Sequence, residues 1–73
     1  MSKLPACSGR EAVRAFEKVG YVLDHQTGSH MILRHPSGRR LTVPDYRELA
    51  KGTLRALIRQ AGLTVDQFVA LLD

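Results

Sequence analysis

Apolar residues recur along the chain with two periods, one helical and one alternating, and each change of period marks a new element. Between Arg10 and Val19, Ala12, Val13, Ala15, Phe16 and Val19 fall on one side of a helical wheel, with Arg10, Glu11, Arg14, Glu17 and Lys18 on the other. Ser8-Gly9-Arg10-Glu11 has the S-x-x-E form of a capping box, so the helix is predicted to start there and to stop near Val19, ahead of Gly20. Tyr21 to Gln26 is β-branched and aromatic at its start and polar at its end, as a strand running into a turn at Thr27-Gly28-Ser29 would be. His30 to His35 resumes a strand, and Pro36-Ser37-Gly38 makes a second turn. Leu41 and Val43 then alternate with Arg40 and Thr42 until Pro44 stops the ladder. After an irregular connection from Asp45 to Gly52, Thr53 is placed to cap a helix with Leu54, Leu57, Ile58 and Ala61 at i, i+3, i+4 and i+7. Gly62 ends it, and Thr64-Val65-Asp66-Gln67 is a second capping box, opening a terminal helix with Val65, Phe68, Val69 and Leu72 on one stripe.

The predicted order is therefore α-β-β-β-α-α, an α+β fold with a three-stranded antiparallel sheet. At 73 residues, with no repeat or linker, the chain is expected to be one domain over residues 1–73, with residues 1–7 as a loosely ordered extension. No apolar run approaches the length of a membrane span and the first residues lack the apolar stretch of a signal peptide, so the expected location is the cytoplasm. Cys7 is the single cysteine, which excludes an internal disulfide and a cysteine-rich zinc site; it is expected to be a bystander near a mobile end.

Charge changes the picture more than composition does. The net charge is +4, and residues 34–59 carry seven Lys or Arg against two acids, a local positive field suited to a polyanion. No nucleotide-binding glycine loop and no Ser-His-Asp or Cys-His signature is present, so no cofactor is expected. His25, His30 and His35 recur at intervals of five, which on an ideal strand places them on alternating sides, though the two turns between them leave that placement open, and a metal site from these three is a weak reading. Asp24, Asp45 and Glu48 show no spacing that demands a catalytic pair and read as surface charge. What remains is one imidazole, His30, beside a flexible corner and upstream of the arginine-rich segment. For RNA that combination has a chemical meaning, because the 2′-hydroxyl is a built-in nucleophile. Cleavage then needs a base, an acid for the leaving oxygen and cations for the charge growing on phosphorus.

Gly28-Ser29-His30 before a strand, His35-Pro36 at its end, Leu41-Thr42-Val43-Pro44, and above all Gly52-Thr53-Leu54-Arg55-Ala56-Leu57-Ile58-Arg59-Gln60-Ala61-Gly62-Leu63 resemble the HicA toxins of bacterial toxin–antitoxin systems. The resemblance runs from about Glu11 to Leu63. It implies a fold like the double-stranded RNA-binding domain, with helices packed on one face of the sheet. It also implies a ribosome-independent mRNA interferase held inactive by a HicB antitoxin, the free toxin a monomer and the inhibited form a hetero-oligomer. The family's catalytic histidine carries onto His30, Gly28 carries over as the residue that lets the backbone turn, and Ser29 as part of the motif and a hydrogen-bond donor. Arg34, Arg39, Arg40, Lys51, Arg55 and Arg59 are expected, from charge and position, to supply the phosphate-binding field.

One departure bears on mechanism. Many relatives carry a second histidine shortly after the Val-Pro pair, whereas this chain reads Val43-Pro44-Asp45-Tyr46. The second proton-transfer group is thus unassigned, with Tyr46, a lysine or water as candidates. Two other readings stay open from the sequence: a noncatalytic RNA-binding module using the same basic face, and an adaptor whose basic surface meets an acidic protein.

Overall fold

The computed structural model describes residues 3–72. Its elements are α1 (Gly9–Glu17), β1 (Val22–Thr27), β2 (His30–Arg34), β3 (Arg40–Pro44), α2 (Lys51–Gln60) and α3 (Val65–Leu71). The strands form one antiparallel sheet in the order β1-β2-β3, giving the expected α+β arrangement, consistent with a fold like the double-stranded RNA-binding domain.

Alternation decides which face of the sheet is covered. Met31 and Leu33 of β2 and Leu41 and Val43 of β3 are buried against the helices, while His30 and Arg34 of β2 and Arg40 and Thr42 of β3 are exposed on the other face. All the helices pack on the covered side: α1 against β1 and β3, α2 against β3, and α3 against α1 and α2. Phe16 and Phe68, both fully buried with ring centroids 5.3 Å apart, join α1 to α3. Burying two such side chains is worth about 3 kcal/mol or more of transfer free energy, so α3 is part of the core.

Both capping boxes form. The Glu11 N–H donates to Ser8 Oγ at 3.0 Å and the Ser8 N–H to Glu11 Oε1 at 2.8 Å, and Thr64 and Gln67 make the equivalent pair. The Glu11 carboxyl is held below its usual range chiefly by these bonds from Ser8. The start of α2 differs from expectation. It begins at Lys51, not after Thr53, and its N-cap Ala50 makes no side-chain bond. A tertiary anchor replaces the local cap: Leu49 is buried, and its N–H donates to the Cys7 carbonyl at 2.8 Å. The same contact ties Cys7, just ahead of α1, to the segment before α2. Cys7 lies in the core, its thiol pushed up by burial and then by Glu11, and Leu4 packs against that core.

Gly9 holds α1 against the sheet by having no side chain. A Cβ there would overlap the Pro44 carbonyl oxygen and stand 3.2 Å from Met31 Cε, and the Gly9 N–H donates to the Tyr46 carbonyl at 2.9 Å. The first turn of α1 is thereby docked on the end of β3.

Candidate functional site

The Gly28-Ser29-His30 corner is the loop of a two-residue hairpin. Thr27 pairs with His30 across it, and the loop has positive φ at Gly28 alone, +57°, the pattern of a type II′ turn, whose twist matches that of the flanking strands. No atom lies within 4 Å of a Cβ built on Gly28, so its φ and not crowding selects glycine.

The corner is braced from one side. The Asp45 N–H donates to the Ser29 carbonyl at 2.6 Å, and the Asp45 carboxylate accepts from Arg10 Nε and Nη2, both at 3.1 Å, and from Gln26 Nε2 at 3.2 Å. Gln26 Nε2 also donates to the Gly28 carbonyl at 3.0 Å. The Arg10 bonds hold the Asp45 carboxyl below the usual carboxylate range, with Gln26 adding to them. Asp45, which the sequence presents as surface charge, links α1, β1 and the segment after β3 at the base of the turn. No residue spacing signals this network, because its members meet only once α1 docks.

His30 itself is exposed, on the open face, and among the described residues its ring makes no hydrogen bond. His25 lies on the same face, where ideal-strand alternation at an interval of five would separate the two. The turn is the reason. Chain reversal pairs Thr27 with His30, Gln26 with Met31 and His25 with Ile32, and cross-strand partners share a face. A β-bulge then leaves Asp24 without a partner between the Leu23–Leu33 and His25–Ile32 pairs. His25 Nδ1–H donates to Asp24 Oδ2 at 2.6 Å, and Arg34 Nε reaches the same oxygen at 3.2 Å. The Asp24 carboxyl is lowered first by the bond from His25 and next by that from Arg34. Neither contact was legible from spacing.

His35 has a structural task. Its Nε2–H donates to the Val19 carbonyl at 3.0 Å, its Nδ1 accepts the Ser37 N–H at 3.0 Å, and its ring packs 4.7 Å from that of Tyr21. The basic residues divide between locations. Arg34 and Arg40 are cross-strand partners on the open face with His30. Arg39 packs its guanidinium against Gly62, at the end of α2. Lys51, Arg55 and Arg59 are exposed on α2, whose Leu54, Leu57 and Ile58 are buried on the covered side of the sheet. Tyr46, 54% exposed, lies beyond the end of β3.

Among the described residues, no three His, Cys, Asp or Glu side chains are grouped to hold a metal ion, and no helix is long and apolar enough to cross a membrane. No curated protein was found to match the chain. A family model described as the HicA toxin of bacterial toxin–antitoxin systems matches residues 9–63, from the first residue of α1 to the loop before α3. That span is well over half of the 73 residues and includes the hairpin, the whole sheet and α2, so the chain belongs to the HicA toxin family, the toxins of bacterial toxin–antitoxin systems.

Proposed function

We propose that this toxin is an endoribonuclease that cleaves mRNA in the cytoplasm, that His30 is a proton-transfer group of the reaction, and that binding of a HicB-type antitoxin relieves the resulting growth arrest. The observation that carries the reading is the exposure of the His30 ring at a hydrogen-bonded hairpin corner, on a sheet face that also bears Arg34 and Arg40. Family membership supports it, since RNA cleavage is the general activity of these toxins. An imidazole can both accept and donate a proton, so it can take the 2′-hydroxyl proton or protonate a leaving oxygen, and RNA supplies its own nucleophile. Guanidinium groups on the same face offset the negative charge that grows on the phosphoryl oxygens. Gly28 and Ser29 serve by shaping the turn. Arg39, Lys51, Arg55 and Arg59 lie off this face and extend the positive field along the rest of the RNA.

The test is cleavage of a labelled transcript by purified protein, together with growth arrest on expression. His30→Ala is expected to keep its thermal transition and lose both activities, and co-expression of a HicB-type protein is expected to restore growth with the native toxin. A folded His30→Ala variant with full activity refutes the assignment. Salt-sensitive RNA binding by the native protein without cleavage would instead mark a noncatalytic RNA-binding module.

A further inference from the structure

We propose that His25 is the second catalytic proton-transfer group, acting as general acid while His30 acts as general base, with Asp24 as the residue that positions it. The inference rests on the reading of His30 given above. It fills the role left vacant where Asp45 and Tyr46 follow Pro44 in place of a histidine.

Placement is the first argument. His25 pairs with Ile32, and His30 is two residues from Ile32 on the same strand, so the two imidazoles are diagonal neighbours on one face. Diagonal neighbours have Cα atoms about 7–8 Å apart, a spacing that leaves room for one phosphodiester between two rings that each reach outward. His35 points to the covered side and Tyr46 lies off the sheet. Among the described residues, His25 is thus the one other imidazole on the face of His30.

Orientation is the second argument. A carboxylate only accepts, so the 2.6 Å contact with Asp24 Oδ2 assigns a proton to His25 Nδ1 and leaves Nε2 as the nitrogen for proton transfer. The bulge makes this possible. As the unpaired residue of β1, Asp24 bonds its neighbour and also Arg34 across the strand pair, so the carboxylate is fixed from two sides. A protonated His25 then carries its transferable proton on Nε2 while its other N–H stays bonded.

The step balances as an in-line transfer. His30 takes the 2′-hydroxyl proton as the 2′-oxygen bonds to phosphorus; the bond from phosphorus to the 5′-oxygen breaks, and that oxygen receives the Nε2 proton of His25. The products are a 2′,3′-cyclic phosphate and a 5′-hydroxyl. Arg34, already bonded to Asp24 through Nε, and Arg40 beside it face the phosphate from the same surface.

The experiment compares a labelled transcript with the same RNA carrying one 5′-bridging sulfur at the scissile position, a leaving group that needs no acid. On the ordinary transcript His25→Ala is expected to lose about 10²-fold or more in kcat, and Asp24→Asn a smaller factor. On the sulfur-bridged RNA both variants should return close to the native rate, whereas His30→Ala should stay inactive on both. His25 and Asp24 are exposed, so the variants fold, as their thermal transitions should show. A His25→Ala enzyme that matches native protein on the ordinary transcript overturns the proposal while leaving the His30 reading intact. Equal loss on both substrates also overturns it, since that marks a binding role. A native protein that cleaves neither RNA, or a fully active His30→Ala, overturns the underlying reading as well.

Discussion

Gly9 and Gly52 offer the same substitution with opposite expected signs. Both occupy the first turn of a helix, Gly9 as the first residue of α1 and Gly52 as the second of α2. On helix propensity, Gly→Ala gains up to about 1 kcal/mol, less in the first turn, chiefly because alanine has less freedom to lose from the unfolded chain. At Gly52 nothing lies within 4 Å of the new methyl, so Gly52→Ala should stabilise the protein by about 0.5 kcal/mol. At Gly9 the methyl overlaps the Pro44 carbonyl oxygen, comes 3.0 Å from the Pro44 carbonyl carbon and crowds Met31 Cε at 3.2 Å. The Met31 side chain can turn aside, but the Pro44 backbone cannot yield without pulling on the His30–Pro44 pairing or on the Gly9–Tyr46 bond. Overpacking of this kind costs about 1–3 kcal/mol, and loss of one backbone bond about 1 kcal/mol more, so after the propensity gain the net destabilisation is about 2 kcal/mol. In a domain of this size that lowers the Tm by about 8–16 °C, against a rise of a few degrees for Gly52→Ala. Thermal melts followed by circular dichroism read both. A Gly9→Ala protein at least as stable as the native chain would show that α1 is not docked on β3 by close backbone approach.

Other expectations follow from contacts of different kinds. Phe68→Ala should cost about 3–5 kcal/mol in chemical denaturation, because the ring is fully buried against Phe16; a cost below about 1 kcal/mol would mean that α3 is not part of the core. His35→Ala should lose about 1–2 kcal/mol through the Val19 and Ser37 bonds and the Tyr21 contact, yet leave RNA cleavage per folded molecule unchanged, which melts and a cleavage assay separate. Asp45 has a folded pKa below its unfolded value, so its stabilisation is complete above the unfolded pKa, about 4, and is lost as pH falls through the lower folded value. Asp45→Asn should therefore flatten the fall of Tm below about pH 4, and an unchanged acid limb would show that the Arg10 pairing is not maintained in solution.

Most of the fold was legible because its signals are local. The two capping boxes, the alternation in β3 and the helical stripe of Leu54, Leu57 and Ile58 each depend on residues within a few positions of one another. The start of α2 was misplaced for the converse reason: what holds it is the bond from Leu49 to the Cys7 carbonyl, between residues far apart in sequence, and Thr53, a good cap by residue type, is not called on. In the candidate site, His30 and its turn stand out as a motif, but its surroundings do not. The Arg10–Asp45 pair spans a helix and a loop, and Asp24 reaches His25 and Arg34 because of a bulge. The hairpin register was the one signal within reach. Once Gly28-Ser29 is taken as a two-residue loop, Thr27 must pair with His30 and His25 with Ile32, which places both histidines on one face.

Stability and the proposed chemistry are divided by the plane of the sheet. Three helices cover one face, and the core lies between them and that face, so the other face carries His25, His30, Arg34 and Arg40 without being needed for the core. Such a face also bears the cost of exposed apolar surface, seen in Val22 at 62% exposure on β1. Substitutions on the open face should then change cleavage with little effect on folding, and those on the covered face the reverse. The exception is the hairpin corner, where Arg10 of α1 grips Asp45 and Asp45 grips the Ser29 carbonyl. At that one point the packing of α1 sets the position of His30. Gly9 sits one residue before Arg10, so a side chain there would disturb the core and the proposed catalytic corner together, and Gly9→Ala should lose more cleavage per folded molecule than Phe68→Ala does.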